Sequence, residues 1–205
     1  MEDKKIGFYG GSFNPPHVGH IFSAVYSITQ HNLDKVIVVP CGKHPFSKNL
    51  IPAIHRYSMC CQCFMHLSDK VEVSFLECWE SNTNDKESYT IDTLKIYQEK
   101  YPKAKLRLII GEDNLQGLKQ WKNIDEINEI ASPFIILPRG SFQVNKDDDR
   151  LEMLVHKNLM PDISSTDIRT TITSDLPSRC KEKILEKYLH PEVLKYIYKH
   201  KLYIQ

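Results

Sequence analysis

What this sequence has least of is net charge. It carries 27 lysines and arginines against 26 aspartates and glutamates, a formal charge of +1 at pH 7. No global field of the kind that marks a nucleic-acid or membrane-surface binder follows from that balance. Any phosphate-bearing ligand must therefore be held by a local site. Long apolar runs are also missing, since none approaches the roughly 20 residues that span a bilayer. There is no internal repeat and no low-complexity tract, which excludes a solenoid array. The opening residues MEDKKIGFYGG are charged and lead straight into a strand pattern, so no export signal is expected and the expected location is the cytoplasm.

A disulfide framework is a further absence. The six cysteines, Cys41, Cys60, Cys61, Cys63, Cys78 and Cys180, are expected as free thiols in a chain without an export signal. Cys60, Cys61 and Cys63 are crowded, but no second cluster offers the matched spacing of a zinc site. They lie in HRYSMCCQCFMHL, where Tyr57, Cys60, Cys61, Phe64 and Leu67 recur at helical spacing, so buried thiols on a helix are expected and no metal site is assigned.

What is present is an ordinary globular composition, with 41% hydrophobic and 26% charged residues in 205, enough for one large domain with a real core. Short apolar runs recur at 6–9, 35–40, 105–110 and 134–138, the second of them of β-branched residues, and 71–75 alternates like a further strand, all separated by helical patterns. That alternation predicts an α/β fold, a Rossmann-like doubly wound parallel sheet with a small C-terminal helical part. Residues 1–160 are expected to form the Rossmann-like core, with 161–205 as a helical segment completing the same domain. A polar loop is expected over 80–87, then a helix capped by Ser88 or Thr90 with Ile91, Leu94 and Tyr97 on one face. Residues 141–160 carry little signal.

Chemistry concentrates in GGSFNPPHVGH, residues 10–20, between the first strand and the first helix. A strand that breaks into glycines and enters a helix brings backbone N–H groups and a helix N-terminus to one point, where an anion is favoured. Gly10 and Gly11 let a phosphate approach the backbone, Ser12 adds a hydroxyl, and Pro15 and Pro16 stiffen the loop. His17 and His20, three apart, share a face at the helix start and can follow charge as it moves in a transition state.

Other strand ends carry weaker signals. The loop CGKHPFSKNLIPAI places Lys43, His44 and Lys48 where they reach the same phosphates or serve as ordinary solvated lysines. Gly111 and Asp113 end the fourth strand, with Asp113 either accepting from ribose hydroxyls or capping a helix. Trp121 offers a flat face for stacking a heterocycle, or is simply core. Arg139 follows the fifth strand. In ISSTDIR, Ser164, Ser165 and Thr166 gather donors at a helix start and Arg169 points back one turn later, a second anion site or a good N-cap beside a surface arginine.

Taken in order, GGSFNPPHVGH, HPFSK, HRYSM, SYTIDTL, IIGEDNLQGLKQW, a strand ending in Pro-Arg-Gly, ISSTDIR and YLHPEVLKYIYKHKLY resemble the bacterial nicotinate-nucleotide adenylyltransferases. These belong to the nucleotidylyltransferase superfamily with its His-x-Gly-His motif. The resemblance covers most of the chain and departs from the family where the loop reads HPFSK instead of Pro-Pro-His-Lys, and where the stretch after Arg169 is long.

The resemblance implies adenylyl transfer from ATP to nicotinate mononucleotide, giving nicotinate adenine dinucleotide and pyrophosphate, in NAD biosynthesis. It places His17, His20 and Arg169 in catalysis, with His20 at the transferring phosphoryl group. Gly10, Ser12, Phe13, Lys48, Gly111, Asp113, Ser164, Ser165 and Thr166 would join them around ATP, and Thr90, Asp113, Trp121 and Arg139 around the acceptor. Mg²⁺ would ride mainly on the phosphates, and a homo-oligomer is compatible with the pattern. The competing readings are another acceptor, such as nicotinamide mononucleotide or a cytidylyl-type substrate, and a nucleotide-binding regulator without turnover.

Overall fold

Strand β1, Lys5–Gly11, begins the sheet because Ile6, Phe8 and Tyr9 are each buried among apolar neighbours. In the computed structural model, which describes residues 3–43, 50–84, 87–138, 151–153 and 163–204, it is followed by helix α1, Val18–Gln30, and strand β2, Lys35–Pro40. Next come α2, Ala53–Cys63, β3, Val71–Val73, and α3, Leu76–Asn84. Helix α4, Thr90–Lys100, leads into β4, Lys105–Gly111, and a 3₁₀ segment, Glu112–Gln120. Helix α5, Ile124–Ala131, strands β5, Phe134–Leu137, and β6, Leu151–Met153, and helices α6, Ser165–Thr173, α7, Ser178–Leu185, and α8, Pro191–Lys199, complete the described chain.

The strands lie in the order β3-β2-β1-β4-β5-β6 and every pair is parallel. Alternation along each strand fills two cores. Tyr9, Val36, Val38, Ile109 and Ile135 face one side, with residues of α1, α2, α6, α7 and α8. Ile6, Phe8, Ile37, Val39, Leu108 and Ile136 face the other, with α4 and α5. Side chains of this kind stabilise by about 1.5–3 kcal/mol each when fully buried, so the period-2 pattern on both faces dictates helices on both faces. The strand order reverses between β1 and β4, and their carboxyl ends, Gly11 and Gly111, flank the crevice where open α/β sheets bind ligands.

Three local expectations are corrected. The polar stretch from Glu80 to Asn84 continues α3, because Ser81 and Thr83 donate back to the carbonyls of Cys78 and Trp79 at 3.1 and 2.9 Å and do not break the helix. Helix α4 is entered from Tyr89 without a side-chain cap, since the Ser88 hydroxyl is engaged by the Gly42 amide at 3.1 Å. A sixth strand, Leu151–Met153, pairs with Phe134–Ile136 in the region that carried little signal. The cysteines are free. Cys60 and Cys63 are buried on α2, and burial pushes the Cys63 thiol up to about 12. Among the described residues, no group of three or more His, Cys, Asp or Glu stands together as a metal site, and no helix is long and apolar enough to cross a membrane.

Candidate active site

The loop after β1 is held in a shape that few sequences adopt. Phe13 has φ 48, in the left-handed region, yet its ring is only 1% exposed. A bulky residue there costs about 1–3 kcal/mol, and burial of the phenyl group offsets a similar amount. Its ring stands 5.5 Å from Tyr9 and 4.8 Å from His20, so the strained residue packs directly on the second histidine. His17 is the N-cap of α1, and its amide donates to Nδ1 of His20 at 3.1 Å. Because Nδ1 accepts, neutral His20 carries its proton on Nε2, leaving that N–H as the ring's donor. The two imidazoles lie 3.8 Å apart. A Cβ on Gly19 would approach the His17 ring to 3.0 Å, so glycine between the histidines is what lets the first ring settle over the helix start.

The C-terminal helices brace this loop from outside. Val18 donates to the Tyr188 carbonyl at 2.9 Å, and the Tyr203 hydroxyl donates to Asn14 Oδ1 at 2.8 Å. Ser165 donates its hydroxyl to the Pro15 carbonyl at 2.8 Å, and Arg169 Nη1 donates to the Asn14 carbonyl at 2.8 Å. The second guanidinium nitrogen of Arg169 reaches Thr166 Oγ1 at 3.1 Å. Ser164 caps α6 by accepting from the Asp167 amide at 3.2 Å, and its own hydroxyl and amide hold the Asp167 carboxyl below the usual range. Ser164 thus caps the Asp167 amide, and the amides of Ser165 and Thr166 belong to the same first turn of α6. Ser164 and Ser165 therefore offer little hydroxyl donation to a ligand, because cap and loop already use it.

The histidine loop and the start of α6 open onto one cavity of about 930 Å³. Its lining includes Gly10, Ser12, Phe13, His17 and His20 from the first loop, and Ser164, Ser165, Thr166 and Arg169 from α6. Thr90, Gly111, Asp113 and Trp121 line it as well. A Cβ on Gly10 would meet nothing within 4 Å, so the space above that residue is open to a ligand. At the far end, Tyr89 and Thr90 present the N-terminus of α4, whose first amides have no side-chain cap. Lys122 lines the same end, bonded to Asp92 at 3.3 Å and lying 4.3 Å from the Tyr89 ring centroid. Trp121 is half-buried and packs against the second core while also facing the cavity, so it is both core and wall. Lys43 is exposed, its backbone forms an isolated parallel β-bridge with Glu87, and it is not among the residues that line the cavity. Lys48, His44 and Arg139 lie outside the described residues.

Residues 8–171 match the cytidylyltransferase-like family. A probable nicotinate-nucleotide adenylyltransferase of Methylacidiphilum infernorum is 33% identical over 202 residues, covering 98% of this chain and 92% of that protein. One from Fusobacterium nucleatum is 35% identical over 193 residues, covering 89% and 97%. The chain belongs to this adenylyltransferase family. Among solved structures, the Plasmodium falciparum nicotinic acid mononucleotide adenylyltransferase complexed with NaAD superposes with a TM-score of 0.80 at 25% identity, covering 98% of this chain and 97% of that one. The same enzyme complexed with APC gives 0.75. The chain is thus an enzyme of the nucleotidyltransferase class.

Sequence reasoning missed several residues that shape this adenylyltransferase's cavity. Asn14 is buried and ties the loop to Tyr203 and Arg169. Glu77 is buried in the wall, where it accepts from Thr93 Oγ1 at 2.7 Å, and burial raises its pKa. Arg56, from the HRYSM stretch, is 1% exposed. Only a buried charge beside a ligand loop would have flagged these residues, and burial is not visible along the chain.

Proposed function

We propose that this chain transfers the adenylyl group of ATP to nicotinate mononucleotide, in NAD biosynthesis in the cytoplasm. The observation that carries the proposal is that one cavity of about 930 Å³ is lined both by the histidine loop and the N-terminus of α6 and by Thr90 and Trp121. The relatives and the superposable structures named above support the same reading.

In this reading the acceptor's 5′-phosphate oxygen forms a bond to the α-phosphorus of ATP, and the bond from that phosphorus to the bridging oxygen breaks. Pyrophosphate leaves with the electron pair. No covalent nucleophile on the protein is needed, so its task is positioning and charge stabilisation. The Nε2–H of His20 donates to the transferring phosphoryl group, with His17 beside it. The amides of Ser165 and Thr166, the remaining N–H groups of Arg169 and the Lys48 ammonium meet the departing phosphates. Backbone groups of Gly10, Ser12 and Phe13 hold the nucleotide, and Gly111 and Asp113 meet a ribose. Trp121 stacks on the pyridine ring, with Thr90 and Arg139 at its edge.

The acceptor end favours an acid. The N-terminus of α4, without a side-chain cap, turns the positive end of its dipole there, and Lys122, paired with Asp92 at 3.3 Å, keeps further N–H groups for a carboxylate. Mg²⁺ fits as an ion carried on the triphosphate, since it keeps several waters and is bound largely through substrate phosphates, and the described residues offer it no cage of their own. When bound it neutralises phosphate charge.

ATP labelled at the α-phosphorus tests the reaction. With Mg²⁺ and nicotinate mononucleotide, the label is expected in a dinucleotide and the pyrophosphate is expected unlabelled. EDTA is expected to stop turnover while leaving the melting temperature of the nucleotide-free protein unchanged. Label released only as AMP, or turnover unaffected by EDTA, would contradict this reading.

A further inference from the structure

Arg56 is not used by the chemistry above, yet it is among the most deeply buried side chains of the protein, 1% exposed in the first turns of α2. A buried guanidinium survives only where its donors are filled. Among the described residues its acceptors are not carboxylates. Nε donates to the Ile51 carbonyl at 3.0 Å, Nη1 to the Ser12 carbonyl at 2.9 Å, and Nη2 to the Gly42 carbonyl at 3.0 Å. Nη1 also approaches Cys41 Sγ at 3.5 Å. Ser12 follows β1 and Gly42 follows β2, so one planar fork grips both strand-end loops beside the cavity.

The grip on Ser12 has a directional consequence. In a trans peptide the carbonyl and the next residue's N–H point opposite ways. Holding the Ser12 carbonyl against Arg56 therefore turns the Phe13 N–H to the other side of the peptide. Ser12 and Phe13 line the cavity and Arg56 does not. The left-handed φ of Phe13 belongs to the same turn. Gly42 is fixed from the other direction. Its amide donates to Ser88 Oγ at 3.1 Å, and a Cβ there would collide with the Glu77 backbone, so its carbonyl has little room to leave Arg56.

We infer that Arg56 is a positioning residue for the nucleotide: it holds the Ser12–Phe13 peptide so that the Phe13 amide faces the ATP phosphates, and it places a buried positive charge behind them. The inference rests on the adenylyl-transfer reading only for its kinetic readout.

The test compares Arg56→Met and Arg56→Lys with Met59→Ala, a fully buried position on the same helix that belongs to the core and not to the cavity lining. Melting temperature, affinity for α,β-methylene-ATP with Mg²⁺ by calorimetry, and kcat and KM for transfer are measured on the full chain. Arg56→Met is expected to bind the analogue about tenfold more weakly, the equivalent of one misaligned charge-assisted bond. Its kcat is expected to fall roughly 100-fold, as when a charge-stabilising donor is lost. Met59→Ala is expected to melt lower with both constants near those of the parent.

Lysine is expected to recover melting temperature more than kcat, because one ammonium cannot span three carbonyls. If Arg56→Met does not fold, Arg56→Lys carries the test. Variants of Arg56 that bind the analogue and turn over like Met59→Ala would overturn the inference. If the parent transfers nothing to nicotinate mononucleotide, the proposed acceptor fails, and analogue affinity still decides the role of Arg56.

Discussion

Replacing His20 with alanine is expected to lower kcat by about 10²- to 10³-fold, the range for removal of one donor aimed at developing charge. KM for ATP should stay within a few-fold. The reason is local. His20 accepts the His17 amide on Nδ1 at 3.1 Å, which puts the neutral ring's proton on Nε2, and the ring is held by Phe13 at 4.8 Å and His17 at 3.8 Å. A donor fixed in this way costs nothing to reorient when charge moves onto the phosphoryl oxygens, which is why its loss falls on the transition state and not on ground-state binding. The folded protein should survive, because the variant leaves one helix-start amide unpaired and a small void, about 1–3 kcal/mol for the unpaired group. Circular dichroism and a thermal melt beside the kinetics check this. A variant with parental kcat would remove His20 from the chemistry.

Arg169 should behave differently. Its guanidinium already spends two donors on Asn14 O and Thr166 Oγ1, and its other N–H groups are the ones a departing phosphate would meet. Arg169→Lys is expected to lower kcat/KM for ATP roughly 10- to 100-fold, since a charged hydrogen bond is worth about 1.5–3 kcal/mol and a point ammonium cannot brace the loop and hold phosphate together. Arg169→Ala should lose at least as much. In the reverse direction, the KM for pyrophosphate should rise in parallel, because α6 is assigned to the leaving group and not to the acceptor. Unchanged pyrophosphate affinity would place Arg169 in loop bracing alone.

The histidine loop was legible because its chemistry is contiguous: glycines, prolines and two histidines in one short stretch between a strand and a helix. The central strands were legible because both their faces are buried, which demands the continuous apolar runs seen at Val36–Val39 and Leu108–Ile110. The ISSTDIR stretch reads along the chain as either a cap or an anion site, and the structure makes Ser164 the cap while it lines the cavity together with Ser165, Thr166 and Arg169. What stayed hidden are contacts made across the chain. Arg56 meets Ser12 across 44 positions, and Tyr203 meets Asn14 across 189. HRYSM reads along the chain as one more helix facing the core, and nothing in its spacing says that its arginine is the buried residue. Leu151–Met153 hides for another reason, since its three residues, Leu-Glu-Met, carry no β-branched side chain, unlike the equally short Val71–Val73.

The measurement that reaches the central claim most directly is the ratio of kcat/KM for nicotinate mononucleotide to that for nicotinamide mononucleotide, followed by pyrophosphate release with saturating Mg²⁺-ATP. The uncapped start of α4, beside a Lys122 ammonium already paired with Asp92, predicts a preference for the acid of about 10- to 100-fold, the effect of one charge-assisted hydrogen bond that an amide does not make. Equal turnover of the two, or preference for the amide, would contradict the account.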